Sequence, residues 1–282
     1  SADEVTRIAG SSQGCMDGAN RASRFNTPYD LVVHTRSGAA GPVIFVSDSS
    51  NHRIRSVTKL AQSIWVTTLA GSGSSGRHDG PLTSARFHTQ RGLCKVVDAS
   101  TGAVTLYVVG YTYEVIRKVS VEEQQVTTIA GLFNQPGNVD GPALLAQFRA
   151  PSFITADTTR NPAILYVSEP TNAQVRSIDL ATQMVYKVAG VGTGTSIIDG
   201  VGSVAGFAAD LSGIAFDASA NGRGVYIADT GNYALRYVTM GTQSPTANPT
   251  TTSPTTTVAP SAVPTYREFA YNALASQVLL PA

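Results

Sequence analysis

An all-β propeller of four-stranded blades is the fold class predicted by this sequence of 282 residues. Three observations lead there. The first is internal repetition, which fixes an architecture before any single element is read. An Ala-Gly step recurs at Ala9, Ala70, Ala130 and Ala189, and an Asp-Gly step at Asp17, Asp79, Asp140 and Asp199. A phenylalanine follows seven residues after each glycine of Asp-Gly, as Phe25, Phe87, Phe148 and Phe207. Each repeat closes on an arginine: Arg55, Arg117, Arg176 and Arg236. The second observation is the content of each unit, short β-branched and aromatic runs with no helical period. The third is 26 glycines and 14 prolines, a composition suited to many turns.

The elements of a repeat follow in order. Val66-Thr67-Thr68-Leu69-Ala70, Val126 to Ala130 and Val185 to Ala189 are short strands that stop on glycine. The Asp-Gly step then tolerates a left-handed backbone at little steric cost. After the phenylalanine come Leu31-Val32-Val33, Leu93 to Val97, Phe153 to Ala156 and Ile214-Ala215-Phe216, read as strands buried on both faces. Next stand Val43 to Val46, Leu106 to Val109, Ile164 to Val167 and Val225 to Ala228. A turn such as Ser47-Asp48-Ser49-Ser50-Asn51 leads to a further strand ending near the arginine. Four strands per repeat is the content of one propeller blade. Residues 4–10 carry a last-strand pattern with no preceding strands, and no strand is readable in the window after Arg236. The expected closure is therefore four blades zipped by the N-terminal strand over 4–10, paired with the strand ending at Arg236 of this chain or a neighbour.

Two stretches make the repeat specific. Phe45-Val46-Ser47-Asp48-Ser49-Ser50-Asn51-His52-Arg53-Ile54-Arg55 and Tyr226 to Arg236 resemble NHL repeats, and the Val-Thr-Thr-Leu-Ala-Gly and Asp-Gly-Pro stretches resemble the longer form of that repeat. The resemblance covers roughly residues 4–240. It implies a β-propeller and a binding or scaffold role with varied partners. Function must still be argued from a site. The second repeat departs from the pattern: where the first and fourth have Asp48…Asn51 and Asp229…Asn232, it has Gly110…Tyr113, and the third has Glu169…Asn172. The arginine survives regardless, so it is read as packing and capping, its stem covering apolar surface and its guanidinium bonding backbone carbonyls.

Composition shifts after Arg236. The domain reading is a propeller over 1–241, a Thr/Pro-rich stalk over 242–265 and a short apolar docking segment over 266–282. The stalk has nine threonines and five prolines, and no charged residue lies between Tyr237 and Tyr266. It cannot build a core and reads as extended and polyproline-like. Thr250, Thr251, Thr252, Thr255, Thr256 and Thr257 are candidate acceptors of O-linked glycan. The chain begins at Ser1 with no visible signal peptide and is expected to be a processed or trimmed product. Cys15 and Cys94 are either two free thiols or a disulfide between the first two blades, which would mark an oxidising compartment.

Chemistry is sparse. Charged residues make up 14% of the chain and the net charge is +1, so no global field draws in nucleic acid or an anionic membrane. The apolar runs fall far short of the roughly 20 residues of a membrane helix. His34, Asp157 and Asp217 occupy corresponding strand ends, with Val96 in the second repeat, and Asp157 and Asp217 are read as shaping strand-ending turns rather than as part of a cation ring. Arg21, Arg24, Arg86 and Arg91 lie near Tyr29 in loops, offset by acidic residues. No nucleophile motif or phosphate loop is present. No cofactor, metal or catalytic residue is expected. The expected function is a non-enzymatic extracellular scaffold or interaction module, a repeating subunit of a surface filament or coat joined head to tail through its C-terminal tail. Its partners would be protein, chiefly other copies of itself, with glycans. The alternatives are a monomeric ligand- or glycan-binding propeller on a stalk, a metal-dependent propeller enzyme and an RNA-binding module.

Overall fold

Four antiparallel meanders stand side by side in the computed structural model, which describes residues 5–35, 41–60, 63–192, 195–219 and 223–240. From inner to outer strand, the first blade comprises Pro28–His34, Val43–Asp48, Arg53–Leu60 and Ser63–Ala70. The second comprises Gln90–Val97, Val104–Gly110, Val115–Ser120 and Gln125–Ala130. The third comprises Phe153–Asp157, Ile164–Glu169, Gln174–Asp179 and Met184–Ala189. The fourth has three strands among the described residues, Leu211–Asp217, Gly224–Asp229 and Ala234–Thr239. In the first three blades the glycine of Asp-Gly opens a two-residue strip that pairs with the outer strand, as Gly80 does with Val126.

The strands are apolar on both faces because each blade is covered on both sides. In the second blade, Leu93, Leu106 and Val108 pack toward the first blade, while Cys94, Tyr107 and Val109 pack toward the third. Side chains alternate along a strand, so neighbours in sequence serve opposite interfaces. Each such side chain stabilises the stack by about 1.5–3 kcal/mol. Near the axis, the Gly92 N–H donates to the Ser152 carbonyl at 2.8 Å. A Cβ on Gly92 would lie 2.6 Å from the Phe153 Cα, so only glycine permits this approach.

Among the described residues, the four blades make a propeller that is left open. Inner strands pack between blades one and two, two and three, and three and four, but those of blades one and four do not pack in the same way. Closure within the chain by the strand expected over 4–10 is corrected here: residues 5–10 form no strand, and Val5 is fully exposed. Among the described residues, the strand Ala234–Thr239 pairs in a sheet with Gly224–Asp229 alone. The Gly10 N–H donates to Ser23 Oγ at 3.0 Å, and the Ser11 N–H to the Ser23 carbonyl at 3.1 Å. Ala9 packs beside Val46, Val57 and Val66. The step is thus held on the first blade, and with the ring open it does not reach the fourth. The stalk and docking segment over 242–282 lie outside the described residues.

Candidate functional site

Each blade is pinned by one buried guanidinium. The sequence places the arginine on the third strand, the phenylalanine in the loop before the inner strand, and Asp-Gly at the blade's rim. Arg55 Nη1 donates to the Arg24 carbonyl and Nη2 to the Met16 carbonyl, and Asp17 Oδ1 pairs with it at 2.6 Å. Asp17 Oδ2 meanwhile accepts from the Thr68 N–H of the outer strand. The same guanidinium bonds recur around Arg117 with Asp79, Arg176 with Asp140 and Arg236 with Asp199. Phe25, Phe87, Phe148 and Phe207 lie 4.9 to 5.1 Å below these guanidinium carbons. A cation over a ring face is attracted by the ring quadrupole.

Three blades add a second, fully buried carboxylate at the end of the second strand: Asp48, Glu169 and Asp229. Each pairs with its arginine, at 2.7, 3.2 and 3.0 Å. Each also accepts a backbone N–H, from Asn26, Arg149 or Ala208, and the amide of Asn51, Asn172 or Asn232. Burial nonetheless pushes the Glu169 carboxyl up, partly offset by Arg176. In the second blade Gly110 stands in that place, and the carboxylate is replaced by a hollow of about 10 Å³, room for one water. Arg117, Gln90, Gly110 and His88 line it. The Gln90 side chain is buried, with no partner for its Oε1 among the described residues. Burial pulls the Arg117 guanidinium below its ordinary value, and Asp79 only partly offsets this.

Above the hollow, half-exposed rings form a row across the first three blades. His52, in the turn of the first blade, stacks on His88 with centroids 5.4 Å apart. His88 stacks on Tyr113 at 4.7 Å, and Tyr113 meets Phe133 edge-on at 4.6 Å. The Arg77 guanidinium caps Phe133 at 4.6 Å. His88 Nδ1 shares a 2.7 Å hydrogen bond with Ser75 Oγ, which fixes its ring. Burial, then the nearby His88, lowers the His52 pKa. Beneath the row Glu114 holds a left-handed backbone at φ 53°, and burial raises its carboxyl pKa. Tyr113 occupies the position of Asn51, Asn172 and Asn232, so the departure visible in the second repeat is what supplies a ring. The row itself was not read from the sequence, since its four members hold unrelated repeat positions.

Other singled-out residues lie apart from the row. Asp157 is buried and ion-paired with Arg160 and Arg223, whereas Asp217 is met by the Tyr237 hydroxyl at 3.4 Å. Together with His34 they form no cluster suited to a metal among the described residues. Arg91 stacks on Tyr111 and Tyr29 at 3.3 and 5.1 Å and donates to Ser152 Oγ, so its charge is occupied within the fold. The disulfide alternative is corrected: Cys15 and Cys94 are both free. Cys15 sits on an exposed loop beside Arg53, and Cys94 is buried between the second and third blades, where burial pushes its thiol pKa up. No helix of the described residues is long and apolar enough to cross a membrane.

No family model matches the sequence. The human NHL repeat-containing protein 2 is 24% identical over 264 residues, covering 86% of this chain and 35% of the human protein. The bovine protein of the same name is 26% identical over 183 residues, covering 62% of this chain and 24% of that protein. The chain thus spans about a third or less of these relatives. Among solved structures, an auxiliary nutrient binding protein from Bacteroides thetaiotaomicron is 16% identical, with a TM-score of 0.47 over 73% of this chain and 44% of that one. Virginiamycin B lyase from Staphylococcus aureus is 13% identical, with a TM-score of 0.42 over 73% and 51%. The chain's repeated motifs are similar to NHL repeats, and its fold is a four-bladed β-propeller.

Proposed function

We propose that this NHL-repeat propeller is a non-enzymatic interaction module that holds a protein segment along the row His52, His88, Tyr113 and Phe133. The carrying observation is the row itself, four half-exposed rings in contact, ending on Arg77. Rings held by a rigid sheet offer contact area at low entropic cost, and one aromatic pair contributes about 0.5–1.5 kcal/mol beyond area burial. Arg77 adds a charge for an acidic group at the Phe133 end. An extracellular setting, O-linked glycans on 242–265 and head-to-tail filament assembly through the docking segment belong to the same reading and rest on the sequence. Sugar rings would stack on the same row, which keeps a glycan-binding propeller as the second reading.

Selection of linear peptides on the full chain tests the first reading. The selected peptides should bind at least tenfold more weakly to Tyr113→Ala or His88→Ala. Equal binding by both variants would remove the row from the interface. Binding of a glycan array with the same sensitivity would favour the second reading.

A further inference from the structure

The two ends of the arc carry the two halves of an interface the molecule already makes three times. Leu31 faces outward from the first blade and is 57% exposed, whereas its counterparts Leu93 and Ile154 are 4% exposed. Phe25 is half-exposed, yet Phe87, Phe148 and Phe207 are buried. At the other end Leu235 is 75% exposed, while Ile54, Ile116 and Val175, at the same register, are fully buried. Ile214, Ala215, Tyr226 and Leu235 line an apolar groove of about 250 Å³ there.

The missing strand is present in the sequence. Val5-Thr6-Arg7-Ile8-Ala9 repeats the pattern of Val66 to Ala70, Val126 to Ala130 and Val185 to Ala189. Val66, Val126 and Val185 are fully buried and Val5 is fully exposed. The receiving side is prepared as well. Asp17, Asp79 and Asp140 each accept the N–H of an outer-strand residue, Thr68, Thr128 or Lys187. Asp199 receives no such backbone donor among the described residues, and its side chain is 73% exposed. The residue that would supply the donor is Arg7. The stretch after Arg236 contains no copy of this strand pattern.

We propose that the fourth blade is completed in trans: residues 5–9 of a second copy add as its outer strand, and that copy's first blade packs on the Tyr226–Leu235 face. The proposal deepens and rests on the self-association part of the reading above, moving the contact from the tail to the blades. Its geometry continues the three internal interfaces, in each of which an outer strand runs through Ala-Gly into the next blade. Strand addition provides main-chain hydrogen bonds, and the alternating side chains fix the register. Two different surfaces meet, so the contact is head to tail and yields a ring where the rotation closes and a filament where it does not.

The register supplies the test. Thr67 pairs with Ser56, their hydroxyls 2.7 Å apart, which places Thr6 opposite Tyr237. In the full chain carrying Cys15→Ser, a Thr6→Cys/Tyr237→Cys pair should give, on mild oxidation, a covalent species of twice the chain mass or more. Each single variant should not. A 6–237 disulfide within one chain would show self-closure and overturn the proposal. Assembly without any 6–237 disulfide would also overturn it, leaving the tail as connector. Thr6→Pro removes a main-chain donor from the added strand and should shift the sedimenting species toward the monomer while a cooperative melt persists. Unchanged sedimentation would likewise overturn the proposal. None of these variants touches the aromatic row, so peptide binding reports on that reading separately.

Discussion

The second blade and the third hold the same arginine by different means. Arg176 lies between Asp140 and Glu169, at 2.5 and 3.2 Å, and Gln174 also reaches Glu169. Among the described residues, Arg117 has Asp79 alone as an acidic partner, at 2.7 Å, and a hollow where the other carboxylate would be. Both arginines nevertheless donate to the same two loop carbonyls and cover the same phenylalanine. The fold thus requires the guanidinium, the two carbonyls and the Asp of Asp-Gly. The strand-end carboxylate is not common to all four blades. Where it is absent, the neighbouring asparagine has no anion to bond, and Tyr113 takes its position in the aromatic row.

That contrast breaks most visibly in the third blade. Glu169→Ala strands Arg176 without a buried partner and should lower unfolding stability by about 3–5 kcal/mol in denaturant titrations. A loss under about 1 kcal/mol would mean that Asp140 alone suffices there, as Asp79 does for Arg117. The next effect is opposite in sign. Gly110→Asp returns a carboxylate to the hollow and should raise stability by about 1 kcal/mol, within the range for hydrogen bonds to charged groups. The gain should disappear in an Arg117→Met background. A gain that survives there would place its origin in the glycine, not the ion pair. The smallest effect lies at the boundary of the two blades. The His52 pKa is below its ordinary 6.5, so the unfolded chain takes up the proton first as pH falls. Stability should therefore decline below about pH 6.5, and His52→Asn should flatten this part of the melting-temperature profile. An identical profile would remove His52 as a cause.

The blades were legible because every repeat states its own strands and turns locally. Fifteen of the sixteen expected blade strands stand in sheets. The strand over 4–10 does not close the ring within the chain, because its sequence pattern specifies an outer strand without specifying whose. Pairing is non-local, and the placement of Ala9 and Gly10 on the first blade, shared with their counterparts, does not decide it. The site was less legible. Gly110 and Tyr113 were visible as a departure, but periodicity does not report that His52, His88 and Phe133 converge on them. That convergence depends on how one blade leans on the next.

An arc, unlike a ring, has ends from which it can fray. Each inner blade here is buttressed on two sides and each terminal blade on one, so the described fold behaves as a short chain of nearest-neighbour couplings. Heat or denaturant would then peel it from its margins, and amides in Ala234–Thr239 would exchange with solvent before those of Val104–Gly110. Joining two such arcs removes a pair of margins at once, so the gain in endurance belongs to the assembled array and would be missed in any blade studied by itself.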